Sequence, residues 1–454
     1  MIKTDVLILG GGLAGLSTAY HLNRQGSLES LIVEKEPSVG GTAGSFEKNG
    51  FVFDHTGHLL HLHDAYGKKL VLELLQGNLA LHQRSSWIYS RGIYTRYPFQ
   101  ANTHGLPSKV IDECLLGFFK TLHRPDSVPR GPSFRDWCLR TFGAGICKHF
   151  MFPYNEKLWR RPLSELNTEW QGRFVPKPSA AEVLCGAILD QRKFFGYNAT
   201  FRYPRRGGIQ VLPDALAARL KPGQVRTGSP ALAVDLRERV ASIQGVGEIR
   251  YERLVNTLPL VDFLDLARPL PSEISEARGR LRYNTVYCLN LGFDRRDSSG
   301  RHWVYYPENK YPFYRVGYYS RFAQSNSPRD ATSLYIETTR PAGVAVDLAR
   351  LENSMLKGLR ECGILRRSDR ILVKLWKPIR CGYVVYDFAR AASVNAIMRH
   401  LASVGADSIG RYGAWKYSFM EETLLDGKRC AEQLSGLTAE AASQSPEKEL
   451  RPLR

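Results

Sequence analysis

The hydrophobic pattern begins at once. Asp5 to Leu9 is a nearly unbroken apolar run, as expected of a strand buried on both faces. Gly10-Gly11-Gly12-Leu13-Ala14-Gly15 follows directly, and Leu16 to Leu22 then carries apolar residues at helical spacing. Leu31-Ile32-Val33 is a second short strand ending in Glu34. Further along, Val110 to Leu122 and Phe134 to Phe150 read as helices, with Asp112, Glu113 and Asp136 near their starts. Val225 to Leu258 reads as short strands, of which Tyr251 to Pro259 is expected to close the sheet opened by the first two. Tyr283 to Phe293, Trp303 to Tyr306, Phe313 to Tyr319 and Ser333 to Thr338 are aromatic and β-branched, the pattern of a mostly antiparallel sheet. Val346 to Cys362 and Val394 to Val404 return to helical spacing, and the last stretch, rich in Ala, Ser, Glu and Lys, is expected to be disordered.

The glycine run carries chemistry. A G-x-G-x-x-G between a strand and a helix lets backbone approach a pyrophosphate at the positive helix N-terminus, and Glu34 falls where a ribose hydroxyl needs an acceptor. A carboxylate there, with no arginine beside it, argues against a 2′-phosphate. The sequence continues Glu34-Lys35-Glu36-Pro37-Ser38-Val39-Gly40-Gly41-Thr42-Ala43-Gly44. This second glycine run resembles the FAD-binding amine-oxidase-like superfamily. The fold class expected is therefore α/β. A Rossmann-type FAD-binding domain is built from discontinuous segments (1–95, 200–262 and 396–435). To it are added a helical insert on the substrate side (96–199), a mostly antiparallel sheet domain (263–395) and a tail (436–454).

Composition narrows the reading without changing it. At 454 residues the chain is too long for one core. It has no apolar stretch long enough to insert in a membrane, and its first strand begins too early to leave room for a signal peptide. The eight cysteines are scattered without a C-x-x-C pair, as for reduced thiols in a cytoplasmic protein. A net charge of +19 invites a nucleic-acid reading, but the basic residues are dispersed and no recognition motif appears. Diphosphate ligands, or solubility, account for the surplus better. His55, His58, His61 and His63 crowd together, yet on a turn and strand they would not share a face, so no metal site is expected.

Six further motifs follow in order along the chain: Gly50 to His58, Arg96 to Asn102, Phe152 to Trp159, Asn198 to Gly208, Tyr305 to Val316 and Gly410 to Tyr417. Together they resemble the UDP-galactopyranose mutases, and the eukaryotic-type branch more than the bacterial one. The resemblance implies an isomerase that interconverts pyranose and furanose forms of a nucleotide sugar without net redox change. Reduced FAD supplies N5 as nucleophile at the anomeric carbon, and NADH or NADPH is the diffusing reductant. It assigns Gly10, Gly12, Leu13, Ala14, Gly15, Glu34, Lys35, Gly41, Thr42, Gly57, His58, Arg411, Tyr417 and Ser418 to the cofactor, with Arg411 serving its pyrophosphate. Arg315, Tyr305, Tyr383 and Tyr417 match groups that hold the substrate diphosphate, where guanidinium forks suit phosphate oxygens. Asn198 matches an active-site asparagine, His58 the histidine against the isoalloxazine, and Tyr97 and Gln100 the nucleoside loop. Tyr154 and Trp159 complete the substrate set.

Three departures qualify the substrate. The second diphosphate arginine of the family falls on Phe174, with Arg173 one residue earlier as its stand-in. An aromatic residue of the sugar pocket is His61, and a Tyr-Pro segment reads Tyr383-Val384. These favour a related sugar nucleotide, or altered chemistry, over UDP-galactose itself. The alternative is an FAD-dependent oxidoreductase resembling protoporphyrinogen oxidase or the amine oxidases. A third reading is a flavin-bearing protein that binds nucleotide without turnover. The sequence leaves sugar, base and reductant open, and leaves monomer and homodimer equally open.

Overall fold

The computed structural model describes residues 1–26, 28–123, 131–196 and 198–436. The tail expected to be disordered lies, beyond Gly436, outside the described residues. The described residues form two compact units, one drawn from 1–41, 213–272 and 398–436, the other from 42–212 and 273–397.

The first unit is a mixed sheet with helices. Strand β1 (Ile2–Leu9) runs into helix α1 (Leu13–Gln25), and strand β2 (Ser30–Val33) returns parallel to β1. Val6 to Leu9 and Ser30 to Val33 are buried, which explains their unbroken apolar pattern. Gly247–Asn256 pairs parallel with the other side of β1, as the sequence predicts, and its last residues pair with Ala406–Ser408. Gly26 ends α1 in a left-handed cap with its N–H on the Leu22 carbonyl. The helix packs against Met420–Leu434: Ser17 Oγ donates to the Leu424 carbonyl at 2.6 Å. A Cβ on Gly427 would meet Ser17 Cβ at 2.6 Å, so only glycine permits this approach.

The second unit is organised by a seven-stranded sheet. Tyr283–Phe293 lies between Thr332–Pro341 and Ile371–Val384, and Arg315–Tyr318, Trp303–Tyr305, Ser86–Ser90 and Ile93–Arg96 follow outward. The four strands read from sequence are present. The sheet is antiparallel except where Trp303–Tyr305 runs parallel to Ser86–Ser90. Ile371–Val384 is a further strand that the hydrophobic pattern does not single out, and it contains Pro378 and Gly382. It is an edge strand, where a missing N–H is tolerated. The helix expected over Phe134–Phe150 breaks at Gly143 (φ 75°) and continues through a π turn at Cys147–Met151 into Phe152–Trp159. One sheet face is covered by Leu348–Glu361, whose Leu351, Met355 and Leu359 meet Leu289, Leu291, Leu334 and Ile336.

Candidate functional site

In the first unit the glycine run forms a cradle. Gly10 (φ +102°) turns the chain, and a Cβ on Gly15 would lie 2.1 Å from the Gly10 carbonyl oxygen. A Cβ on Gly11 would press on the Glu34 side chain at 3.1 Å. Gly12, by contrast, faces open space with nothing within 4 Å, and it caps α1 with no side-chain acceptor and no acid in the first turn. The first amides of the helix, including those of Leu13 and Ala14, therefore have no intrahelical partner and present a positive end. The second glycine run packs against the first: the Gly40 N–H donates to the Gly11 carbonyl at 2.8 Å, and a Cβ on Gly41 would approach Gly12 Cα at 3.4 Å. Buried Glu34 accepts from the N–H groups of Gly11 (2.7 Å) and Glu36 (2.9 Å), which fixes its carboxylate at the end of β2. Lys35 is exposed and 3.8 Å from Glu36. A Cβ on Gly410 would touch Ala14 Cβ at 2.8 Å, so the Gly410–Gly413 turn lies on the start of α1. There Arg411 donates to the Ser418 carbonyl, its guanidinium 4.9 Å from the Tyr417 ring. Open glycine, uncapped helix end, buried acid and adjacent arginine are the donor and acceptor set a dinucleotide requires. FAD fits the residues present.

In the second unit the centre is an ion pair that was legible only in half. Arg315 and Glu337 face each other across antiparallel strands. Arg315 Nε donates to Glu337 Oε2 at 2.5 Å and Nη2 to Oε1 at 2.9 Å, leaving Nη1 outside the fork. Glu337 is 1 % exposed. Burial disfavours the Arg315 charge, but Glu337, Tyr335 and Tyr383 outweigh it and keep its pKa well above the usual arginine range. The turn before His58 joins this pair, because Thr56 Oγ1 also donates to Glu337. The Tyr335 ring lies 5.6 Å beneath the Arg315 guanidinium, and a Cβ on either Gly57 or Gly317 would collide with that ring. Gly57 is thus explained by packing, and His58 Nδ1 lies 3.2 Å from the Thr56 carbonyl oxygen.

Phenols surround the arginine. Tyr305 is the cross-strand partner of Arg315, and its ring meets those of Tyr154 (5.3 Å) and Tyr97 (5.2 Å). Burial, reinforced by Tyr305, holds the Tyr154 phenol well above its ordinary range, so it remains a hydrogen-bond donor. Tyr383 is anchored by its N–H on Asn284 Oδ1 at 3.2 Å and packs on Trp159 at 5.9 Å. Asn198 is held by buried Arg84, which also donates to the Phe195 carbonyl at 2.8 Å and lies 5.0 Å from the Tyr97 ring. Gln100 is buried and donates to the Pro176 carbonyl at 2.7 Å, so it anchors the segment holding Phe174. Arg173 sits in the short turn Gly172–Phe174, but its side chain lies outside the described residues. His61 is pushed down to about 4 by burial and stays neutral. Thr42, Gly57 and His58 belong to this unit, whereas Arg411, Tyr417 and Ser418 belong to the first.

Sequence reasoning missed Glu337, Thr56, Arg84 and Lys157. Glu337 had a signal, since a lone acid in the apolar stretch Leu334-Tyr335-Ile336 needs a buried partner. Lys157 lies inside a recognised motif. Its buried ammonium donates to the carbonyls of Tyr306 (2.7 Å), Glu308 (3.1 Å) and Phe313 (2.6 Å), which ties down the segment joining Tyr305 to Arg315. Among the described residues no group of three His, Cys, Asp or Glu could hold a metal ion, and no helix is long and apolar enough to cross a membrane.

A two-unit flavoenzyme fold with a dinucleotide cradle defines the class. The chain matches the Flavin containing amine oxidoreductase family over residues 13–435 and belongs to that family. Its structure aligns with that of a reduced UDP-galactopyranose mutase with a TM-score of 0.91 and 27% identity, covering 96% of this chain and 95% of the other. A protein from Exiguobacterium sp. 255-15, provisionally named a protoporphyrinogen oxidase, shares the fold at a TM-score of 0.72 and 16% identity, covering 96% of this chain and 99% of the other. Coproporphyrinogen III oxidase of Bacillus subtilis (strain 168) is 25% identical over 123 residues. That match spans about a quarter (26%) of each chain.

Proposed function

We propose that this flavoenzyme is a nucleotide-sugar mutase that interconverts pyranose and furanose rings, of the eukaryotic-type branch. The observation that carries the reading is the buried Arg315–Glu337 fork ringed by Tyr305, Tyr154 and Tyr383. An oxidase acting on an apolar or amine substrate has no need of a cation and phenols gathered for a diphosphate. The similarity to a mutase along nearly the whole chain supports the same reading.

Reduced FAD, when bound, would supply a nucleophilic nitrogen for the anomeric carbon. Leu13, Ala14, Gly12, Glu34 and Arg411 are the residues that would hold it. The work of the remaining residues is electrostatic. Arg315 Nη1 and the phenolic hydroxyls of Tyr305 and Tyr383 bind the diphosphate and stabilise the charge that grows on it as the glycosidic bond breaks. Glu337 keeps the guanidinium charged and aimed, and Lys157 holds the segment that carries Tyr305 and Arg315. Tyr97 and Gln100 take the nucleoside end, Tyr154 and Trp159 complete the substrate set, Asn198 belongs to the active site, and His58 tunes the flavin. NADH or NADPH is proposed as reductant and the cytoplasm as location.

The test is anaerobic. Dithionite-reduced protein is incubated with UDP-, GDP- and dTDP-hexoses and the products are followed by chromatography and NMR. An isomer of equal mass, formed only with reduced flavin, is expected, and Arg315→Ala should slow its formation at least a hundredfold while FAD stays bound, as loss of a charge-stabilising donor does. Flavin reduced by an amine or apolar substrate, with no isomer from any sugar, would move the chain to the oxidase reading.

A further inference from the structure

Arg160 and Arg340, in the second unit, form a pair of cations with no counter-charge among the described residues. Arg160 ends the helix Phe152–Trp159 in the left-handed region (φ 53°), an unusual backbone for an arginine. Its Nε donates to the Thr339 carbonyl at 3.0 Å, and its Nη2 lies 3.5 Å from Thr338 Oγ1. Arg340 Nη1 donates to the same two oxygens, at 2.7 and 3.1 Å. Two guanidinium groups therefore converge on one carbonyl and one hydroxyl. Burial lowers both, and Arg340 lowers Arg160 further, to about 10. No carboxylate pairs with either among the described residues. Arg160 Nη1 and Arg340 Nε and Nη2 make no hydrogen bond there.

Strand alternation separates Arg340 from the site above, whereas Arg160 Nε also lies 3.3 Å from the hydroxyl of Thr339, which alternates onto the Glu337 face. Glu337 and Arg315 occupy one face of the sheet, whereas Thr338 and Arg340 share the other with Leu334 and Ile336. Tyr287 is the cross-strand partner of Thr338, on that same face, and its phenol contributes to the electrostatics of Arg340. Like charges held half-buried side by side repel unless an anion lies between them. Arg160 Nη1, the Nε–Nη2 edge of Arg340 and a phenol are donors that suit a tetrahedral dianion.

We propose that Arg160, Arg340 and Tyr287 form a phosphate-binding site separate from the Arg315 cluster. Its ligand is a terminal phosphate group, whether inorganic phosphate or the headgroup of an acidic phospholipid. The site stands apart from the mutase reading and does not need it. Because Thr339 Oγ1 donates to the Lys157 carbonyl, the occupied site would brace the helix whose lysine holds the segment from Tyr305 to Arg315.

The FAD-loaded full chain would be titrated with inorganic phosphate by calorimetry, beside R160Q/R340Q, Arg340→Lys and Tyr287→Phe. The expected result is one binding event that weakens at least tenfold in the double variant, and less in the other two, with FAD content unchanged throughout. Arg340→Lys keeps the charge and serves where the double variant fails to fold. Phosphate binding that is absent from the wild type, or unchanged in both arginine variants, overturns the proposal. Sedimentation with phosphatidylcholine vesicles, with and without phosphatidic acid, distinguishes the sources. Phosphate-competed sedimentation that needs both arginines assigns the headgroup, and calorimetric binding without sedimentation assigns the free ion.

Discussion

His302 shows how a single side chain sets a pH limit. Its Nδ1 accepts the Ser85 N–H at 2.9 Å, so the neutral ring carries its proton on Nε2. Burial, with the charges of His82 and Arg321, pushes it down to about 4. The unfolded chain binds this proton from about pH 6.5 downward, whereas the folded chain refuses it until about pH 4, so stability falls as pH drops through that window. The group contributes about 3 kcal/mol of this acid loss. His302→Phe should flatten the dependence of urea unfolding on pH between 6.5 and 4, and an unchanged slope would show that His302 is not the group responsible. Glu337 works differently. Glu337→Gln leaves Arg315 buried without its counter-charge, which should cost roughly 3 kcal/mol in urea unfolding. If Arg315 holds the diphosphate, the same variant should bind UDP more tightly, because the arginine no longer shares its charge. At this scale the sequence announced the arginine through a motif, but its partner sits 22 residues away, and only strand register reveals that the two are opposite.

Elements were most legible where one local pattern dictated them. The strand–glycine–helix opening needed no tertiary information, since apolar run, turn glycines and helical spacing agree. Ile371–Val384 needed it, because an edge position excuses Pro378 and nothing local announces an edge. The break at Gly143 is similar. A Cβ there would lie 2.1 Å from the Gly117 carbonyl oxygen, and one on Gly145 would lie 1.9 Å from that of Glu113. The helices Ser108–Leu122 and Phe134–Ile146 thus cross backbone to backbone. Gly145→Ala should destabilise by about 2 kcal/mol, the range of an overpacked contact, read as a lowered urea midpoint at constant slope. Gly12 is the opposite case. Its φ of −76° suits any residue and a Cβ meets nothing. Gly12→Val should therefore fold, losing about 1 kcal/mol at the helix cap, yet be purified largely without flavin. Full FAD content in that variant would remove Gly12 from the cofactor cradle.

At the scale of the molecule, the surplus of +19 falls on the second unit, because basic and acidic residues balance in the segments of the first. Association with UDP should slow severalfold between about 50 and about 500 mM salt, while dissociation changes less, because salt screens approach more than contact. Stopped-flow mixing separates the two rates. The overall plan was readable from sequence because strands, turns and motifs occur in a fixed order. The pairing of Arg160 with Arg340 was not, since it depends on a left-handed arginine meeting a strand that follows far along the chain.

The three-segment make-up of the first unit has a consequence for how the protein is made. Helix α1 is synthesised long before the helix it packs against, Met420–Leu434. Until then Ser17 lacks its acceptor at Leu424, and the glycine contact of Gly427 cannot form. The second unit, by contrast, has all its strands in hand once Val384 has emerged. A nascent chain therefore carries an exposed, unfinished nucleotide-binding half until that helix emerges. The cofactor, for its part, has nowhere complete to dock until Met420–Leu434 has been made.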